Sequence, residues 1–397
     1  MMSKKNSDHW FTGPGMSRRR LIMAGAAGVG AVGAVGAGSL GGAAWASDAA
    51  DGAGSGAGRG PGLAGLADTV FAALKRHRLV AIGEVHGLQE HYDALASVLT
   101  DPRLPGLVDD VVFEGGNSLY QAVADRFVSG LPVARSELRP LWRNSTNSPL
   151  ATGDEPIYED LFRVVRAVNW RLPAQRQVRL LLGDAPIDWP KITTADQVLA
   201  LRNERDAFAA SLVRREVLDK ERKALICYGA AHVTHHAGTT RPPGTPSGVV
   251  SLIEEQTGQR VFSLVTLVPL AGDPGGLAAR LSPYPRGVVI PTTGTWLGAF
   301  DAGDVFPAFA PGASGQPVNT NCGVPLGKLT DGGLYLGRAE DLTMSRPDPA
   351  IYLDPAYWAE LQRRNDLQGG VVDLDVLRTE QSVHFMPQPV PPPLLCS

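Results

Sequence analysis

Four ionisable residues follow short apolar runs in this chain. Glu84 and His86 lie in Gly83-Glu84-Val85-His86, Glu114 in Phe113-Glu114-Gly115-Gly116, and His232 in Gly229-Ala230-Ala231-His232. Carboxylate and imidazole together support two kinds of chemistry: they bind divalent metals, and they exchange protons near neutral pH. Glu84 and His86 are two apart, so in an extended segment both point to one side. Any one of these residues alone is ordinary, because a single glutamate after a strand often caps a helix and a single histidine is usually a hydrogen-bonded core residue. As a set they propose a site. Asn117 and Arg205 are candidates to stabilise developing negative charge there, and Asp184 and Tyr228 to support it from behind.

The elements that must position these residues alternate in type. Apolar runs at 79–83, 108–113, 178–182, 224–228 and 261–267 predict five strands. Continuous rather than alternating apolarity suits parallel strands buried on both faces. Between them, 3.6-residue periodicity predicts helices at 88–99, 117–128, 134–142, 156–169, 194–218 and 249–256, with Asn117 as a cap and Pro156 as a first helical residue. This pattern predicts an α/β domain at 63–270 with a mostly parallel central sheet flanked by helices. The first four strands all end in glycines and polar residues, and ligands of open α/β sheets bind at the carboxyl ends of strands. Residues 271–397 read as a loop-rich C-terminal extension packed on the same domain, with a strand near 334–337 and a helix at 355–365.

The 397 residues are 44% hydrophobic and 19% charged, as expected of a globular core. Residues 1–46 resemble a twin-arginine export signal: Ser17-Arg18-Arg19-Arg20-Leu21-Ile22, a weakly apolar run, then Ala44-Trp45-Ala46 as a cleavage site. The expectation is a protein exported to the periplasm or beyond, without a membrane anchor after cleavage, and with a flexible lead-in at 47–62. The formal net charge is −3, and the signal holds five cationic residues against Asp8, so the remainder is more acidic still. That gives no electrostatic reason to bind nucleic acid. Gly28-Val29-Gly30-Ala31-Val32-Gly33 matches a dinucleotide fingerprint but follows no strand, so it fails that motif's context. Cys227 lies in an apolar run; Cys322 and Cys396 are able to pair in an oxidising compartment. There is no Gly-x-Ser-x-Gly, His-Glu-x-x-His or Walker loop, which removes ordinary serine hydrolases, zincins and nucleotidases.

The order of these motifs resembles the superfamily of ChaN-like, Tiki, TraB and erythromycin-esterase proteins. Gly83-Glu84-Val85-His86 is closest to the ChaN-like haem-binding uptake group, and Arg205-Asp206-Ala207-Phe208-Ala209 resembles that group's Arg-Asp helix, with Phe208 where methionine is common. The resemblance covers about 79–267. It implies an α/β fold with its site at the strand ends. Tiki-like members are metal-dependent peptidases, whose two Gly-x-x-His motifs would map onto His86 and His232. Erythromycin esterases use a Glu and a His after the first strand, in a motif one residue longer than the one here. The expectation is therefore an exported hydrolase of peptide or ester bonds, acting on a small-molecule or peptide substrate. A divalent metal (Mn, Co or Zn) would sit on His86, His232, Glu84 and Glu114. The alternative is a haem- or iron-binding uptake protein without catalysis.

Overall fold

The structure, a computed structural model, describes residues 63–151, 153–236, 248–311, 316–391 and 394–396. The expected export signal and lead-in lie outside the described residues. In chain order the strands are β1 (Ala64–Gly65), β2 (Leu79–Glu84), β3 (Asp110–Asn117), β4 (Arg179–Asp184), β5 (Ala224–Gly229), β6 (Phe262–Leu267), β7 (Val288–Pro291), β8 (Phe309–Pro311), β9 (Pro317–Asn319) and β10 (Gly332–Tyr335). Strands β8 and β9 pair with each other; the other eight form one sheet in the order β1-β7-β10-β6-β2-β5-β3-β4. From β10 to β4 every neighbouring pair is parallel. Strands β7 and β10 are antiparallel, as are β1 and β7. This is an α/β fold.

The apolar runs are continuous because both sheet faces are covered. Val80, Ile82, Val111, Phe113, Leu180 and Leu182 pack on one side with Val70, Leu95, Val98, Leu161 and Phe162. Those partners belong to the helices Leu66–Leu74, Gln89–Thr100 and Pro156–Asn169. Ala81, Val112, Leu181, Ile226 and Val265 pack on the other side with Ala209, Val213, Val250 and Ile253, from the helices Ala195–Val213 and Val249–Thr257. Thr194 and Gln197 form a reciprocal capping box at the start of the long helix, an arrangement that satisfies two otherwise orphaned donors.

Chain order and spatial order differ where it matters. After β4 the chain returns to place β5 between β2 and β3, pairing Glu84 with Gly229 and Phe113 with Cys227. Between Phe113 and Asn117 the register of β3 against β4 shifts: four steps on β3 match the two from Leu182 to Asp184. This bulge carries Glu114-Gly115-Gly116, and bulges commonly redirect a side chain next to a site.

Two details differ from the sequence-based expectation. Strands β7 and β10, from the stretch read as a loop-rich extension, belong to the main sheet, with β10, at the expected strand near 334–337, between β6 and β7. The stretch 134–142 forms two short helices, Arg135–Leu138 and Pro140–Arg143, because Pro140 lacks the N–H that a continuous helix requires. Cys322 and Cys396 form a disulfide, and Cys227 is a buried free thiol.

Gly183 is fixed by space. A Cβ there would lie 1.9 Å from the Tyr228 hydroxyl oxygen and 3.0 Å from the Phe113 carbonyl. Gly183→Ala should therefore destabilise the fold by about 1–3 kcal/mol through overpacking, read as a lowered urea midpoint. Adding Tyr228→Phe should recover part of the loss by removing the oxygen.

Candidate functional site

The site assembles at the carboxyl ends of β2, β3 and β5. Glu84 is the last residue of β2, and the turn after it presents His86, whose Nδ1 lies 2.6 Å from Glu84 Oε1. Glu114, in the β3 bulge, accepts the Gly229 backbone N–H on Oε2 at 2.6 Å. Its Oε2 also faces His86 Nε2 at 4.0 Å, and its Oε1 faces His232 Nε2 at 3.7 Å and Arg205 Nη1 at 3.9 Å. Oε1 is buried without a hydrogen-bond partner. Gly229 permits this approach: a Cβ there would lie 2.8 Å from His86 Nε2 and 3.4 Å from Glu114 Oε2.

His232 stands in the short helical turn Ala230–Val233 that follows β5. Its Nδ1 meets Asp206 Oδ1 at 2.7 Å and its Nε2 lies 3.2 Å from Arg205 Nη2. Arg205 and Asp206 are consecutive on a helix, yet both reach one ring because its two nitrogens face different directions. Arg205 also donates to Asn147 Oδ1 at 2.6 Å.

Glu84, His86 and Glu114 form a buried group able to hold a metal, with one ligand atom from each within 4.8 Å of the others. His232 is not in that group. It stands across Glu114, engaged by Asp206 and Arg205. The His86 side chain is 20% exposed, against 4% for Glu84, 5% for Glu114, 6% for Arg205 and 7% for His232. A ligand therefore meets His86 first, and the others form the floor.

Burial opposes charge at every one of these groups, and the neighbours decide the outcome. For His86 burial is outweighed by Glu84 and Glu114, and the pKa rises to about 9. For Glu114 burial is outweighed by His232, His86, Arg205 and the Gly229 N–H, which hold it down to about 2. Burial and Arg205 disfavour a charged His232, but Glu114 and Asp206 raise its pKa. The result is a compact group of three carboxylates (Glu84, Glu114, Asp206) facing three cationic partners (His86, His232, Arg205).

The remaining predicted residues support the site without facing a ligand. Asp184 accepts both the backbone N–H and the hydroxyl of Thr146 at 2.6 Å; burial raises its pKa to about 6 against those bonds. Asn117 caps the next turn through Leu119 N–H, and its amide donates to the carbonyls of Asn144 and Ile187. Both amide hydrogens are spent, so Asn117 has none left for developing charge, contrary to the sequence-based expectation. Tyr228 is fully buried, its ring edge-on to His232 at 6.3 Å. The next histidine after His232, His235, is not part of the site and stands between Glu254 and Asp331 at 3.1 Å each. Trp189 is core, with its indole N–H on the Ser145 carbonyl.

The segment 143–151 was invisible as part of the site. It supplies Thr146 to Asp184 and Asn147 to Arg205, and it is itself held by the helix Pro355–Leu367. Arg364, buried over Trp189, donates to the Arg143 carbonyl, Ser148 Oγ and Asn144 Oδ1. A second strap crosses the turn after His86: Ser345 N–H donates to the Gly87 carbonyl at 2.7 Å, and Thr343 N–H to the Glu90 carboxylate at 2.9 Å. Tyr92, one helix turn along, lies against Glu84, and burial together with that carboxylate pushes its hydroxyl pKa up.

No family model and no curated protein matches the sequence. Over about half its length the chain is similar to several solved structures. A protein from Bacillus cereus is 13% identical over 48% of this chain and 66% of that one, with a TM-score of 0.32. The type III effector HopBA1 is 16% identical over 50% and 82%, with a TM-score of 0.30. RRSP, a MARTX toxin effector domain from Vibrio vulnificus, is 20% identical over 51% and 36%, with a TM-score of 0.31. Likeness at these values carries no argument about chemistry.

The shifted groups make stability depend on pH in two windows. Glu114, depressed from 4.5 to about 2, contributes stability above pH 4.5 that is lost as pH falls through 2. His86, raised from 6.5 to about 9, contributes stability below pH 6.5 that is lost as pH rises through 9. Unfolding free energy from denaturant titrations should fall by on the order of 3 kcal/mol across the alkaline window. In His86→Gln that alkaline slope should flatten while the acid slope remains.

Proposed function

We infer that the chain is a hydrolase of ester or peptide bonds whose reacting centre lies between His86 and Glu114. The observation that carries this is the 4.0 Å gap between His86 Nε2 and Glu114 Oε2. One water hydrogen-bonded to both atoms at about 2.8 Å spans such a gap at roughly a right angle. Glu114 takes a proton from that water as it attacks the carbonyl. His86, held by Glu84 through Nδ1, gives its own proton to the departing alcohol or amine. Arg205 and His232 stand across Glu114 and favour the negative charge that develops at the carbonyl oxygen.

A metal-assisted form of the same reaction is the second reading, favoured by the Glu84, His86 and Glu114 ligand atoms lying within 4.8 Å. The set fits a divalent ion in type, and such an ion would lower the pKa of a bound water. The fit in distance is poorer. Adjacent ligands on a tetrahedral zinc lie about 3.4 Å apart, less than the 4.0 Å found. Glu84 is the partner of His86 Nδ1, a position that orients a histidine rather than binding the ion itself. Haem uptake, the other expectation, would use the same histidines as ligands, but both His86 nitrogens already face carboxylates. The same proposal puts the mature protein outside the cytoplasm: the resemblance of residues 1–46 to a twin-arginine signal supports export, and the Cys322–Cys396 disulfide suits an oxidising compartment. It also places the chain with the Tiki and erythromycin-esterase proteins that its motifs resemble.

The test is hydrolysis of p-nitrophenyl esters and fluorogenic peptides by the purified mature protein. His86→Ala and Glu114→Gln should each lose about 10²–10⁴-fold in kcat, and Glu84→Gln less. Activity needs Glu114 ionised and His86 protonated, so kcat/KM should hold level from pH 5 to 8 and fall above about 9. Dialysis against a chelator should leave the rate unchanged; loss that Mn, Co or Zn restores would select the metal form. Wild-type rates in Glu114→Gln would end the hydrolase reading.

A further inference from the structure

A cavity of about 290 Å³ lies where the helices Arg135–Leu138 and Pro140–Arg143 meet the first turn of the helix Pro156–Asn169. The helix that bounds it also reaches the flank of the reacting centre: the ring of Tyr158, one turn beyond Glu155, meets that of Tyr92 edge-on at 5.5 Å, and Tyr92 lies against Glu84. Most of its charged lining is mutually satisfied. Arg143 pairs with Asp154 at 2.5 Å, Arg135 with Glu159 at 3.1 Å, and Arg163 with that same glutamate. Asp348 accepts the Ala350 N–H at 2.9 Å, and Asp160 is exposed.

Two groups are left over. Arg139 makes no ion pair among the described residues, and its Nε is buried without a hydrogen-bond partner. Glu155 Oε2 is likewise buried and unpartnered. Leaving a buried polar group unpaired is costly, so each of these atoms marks a place for a ligand group. A simple anion would answer Arg139 and be repelled by Glu155; a simple cation would do the reverse. A small zwitterion answers both.

We propose that this cavity binds the α-amino-acid end of the substrate, Arg139 taking the carboxylate and Glu155 the ammonium. The hydrolase would then act on an amino-acid conjugate. This deepens the hydrolase reading, yet binding is measured without turnover, so either can fail alone. The probes are free L-amino acids, D-alanine and D-glutamate, titrated calorimetrically into the mature protein. At least one should bind. Its methyl ester should bind about tenfold or more weakly to wild type, with no such difference in Arg139→Gln; its N-acetyl form should behave likewise against Glu155→Gln. Circular dichroism checks that both variants fold. His86→Ala should keep the affinity within about twofold while losing hydrolysis. Absence of binding by every probe, or full affinity in both cavity variants, would overturn the proposal.

Discussion

The buried carboxylate of Glu114 is the constraint around which the site is built. A carboxylate taken out of water is tolerable only with opposite charge and hydrogen bonds close by. Glu114 has a backbone N–H from Gly229 and three cationic neighbours in His86, His232 and Arg205. They come from three separate parts of the chain, and each imposes a demand on the fold. The bulge in β3 turns the side chain toward the site, the return of β5 between β2 and β3 brings Gly229 beside it, and Gly229 must lack a Cβ. The long helix must dock so that Arg205 and Asp206 take His232 from its two nitrogens.

These demands reach further than contact distance. Arg205 is held by Asn147, in a loop that also ties Thr146 to Asp184. Such a loop has little reason to keep one shape alone, and Arg364 supplies it with three side-chain bonds from near the chain's far end. A positioned guanidinium over Trp189 combines charge with planar stacking. The strap through Thr343 and Ser345 does the same for the turn that presents His86. The C-terminal third thus acts on the site as scaffolding, although none of its residues stands in the Glu/His group.

Much of this was legible in the sequence and some was not, for identifiable reasons. The parallel strands announced themselves because burial on both faces demands uninterrupted apolar residues, as in Val111-Val112-Phe113. Glu84, His86, Glu114 and His232 stood out because strand ends are where an α/β sheet meets its ligands. Strand β10 was legible near 334–337, but β7 was obscure: Val288-Val289-Ile290 is a short run among glycines and prolines, and only pairing with neighbours makes it a strand. Asn117 was legible as a cap, but its remaining bonds go to Asn144 and Ile187, whose proximity is tertiary. The ring of His232 is shared between Asp206 and Arg205 for the same reason: an ion pair on a helix surface and a buried clamp look alike until the partner is placed.

The balance of charge in the group bears on what reaction it suits. Three carboxylates and three cationic side chains sit close together with little solvent. A net charge appearing there would be expensive, because these side chains are largely shielded from solvent. In the proposed hydrolysis Glu114 would gain a proton as His86 gave one up, and the total would not change. To admit a divalent ion the same residues would have to release the protons of His86 and His232, and binding would become strongly pH-dependent. A water between His86 and Glu114 asks for no such rearrangement of the floor beneath it.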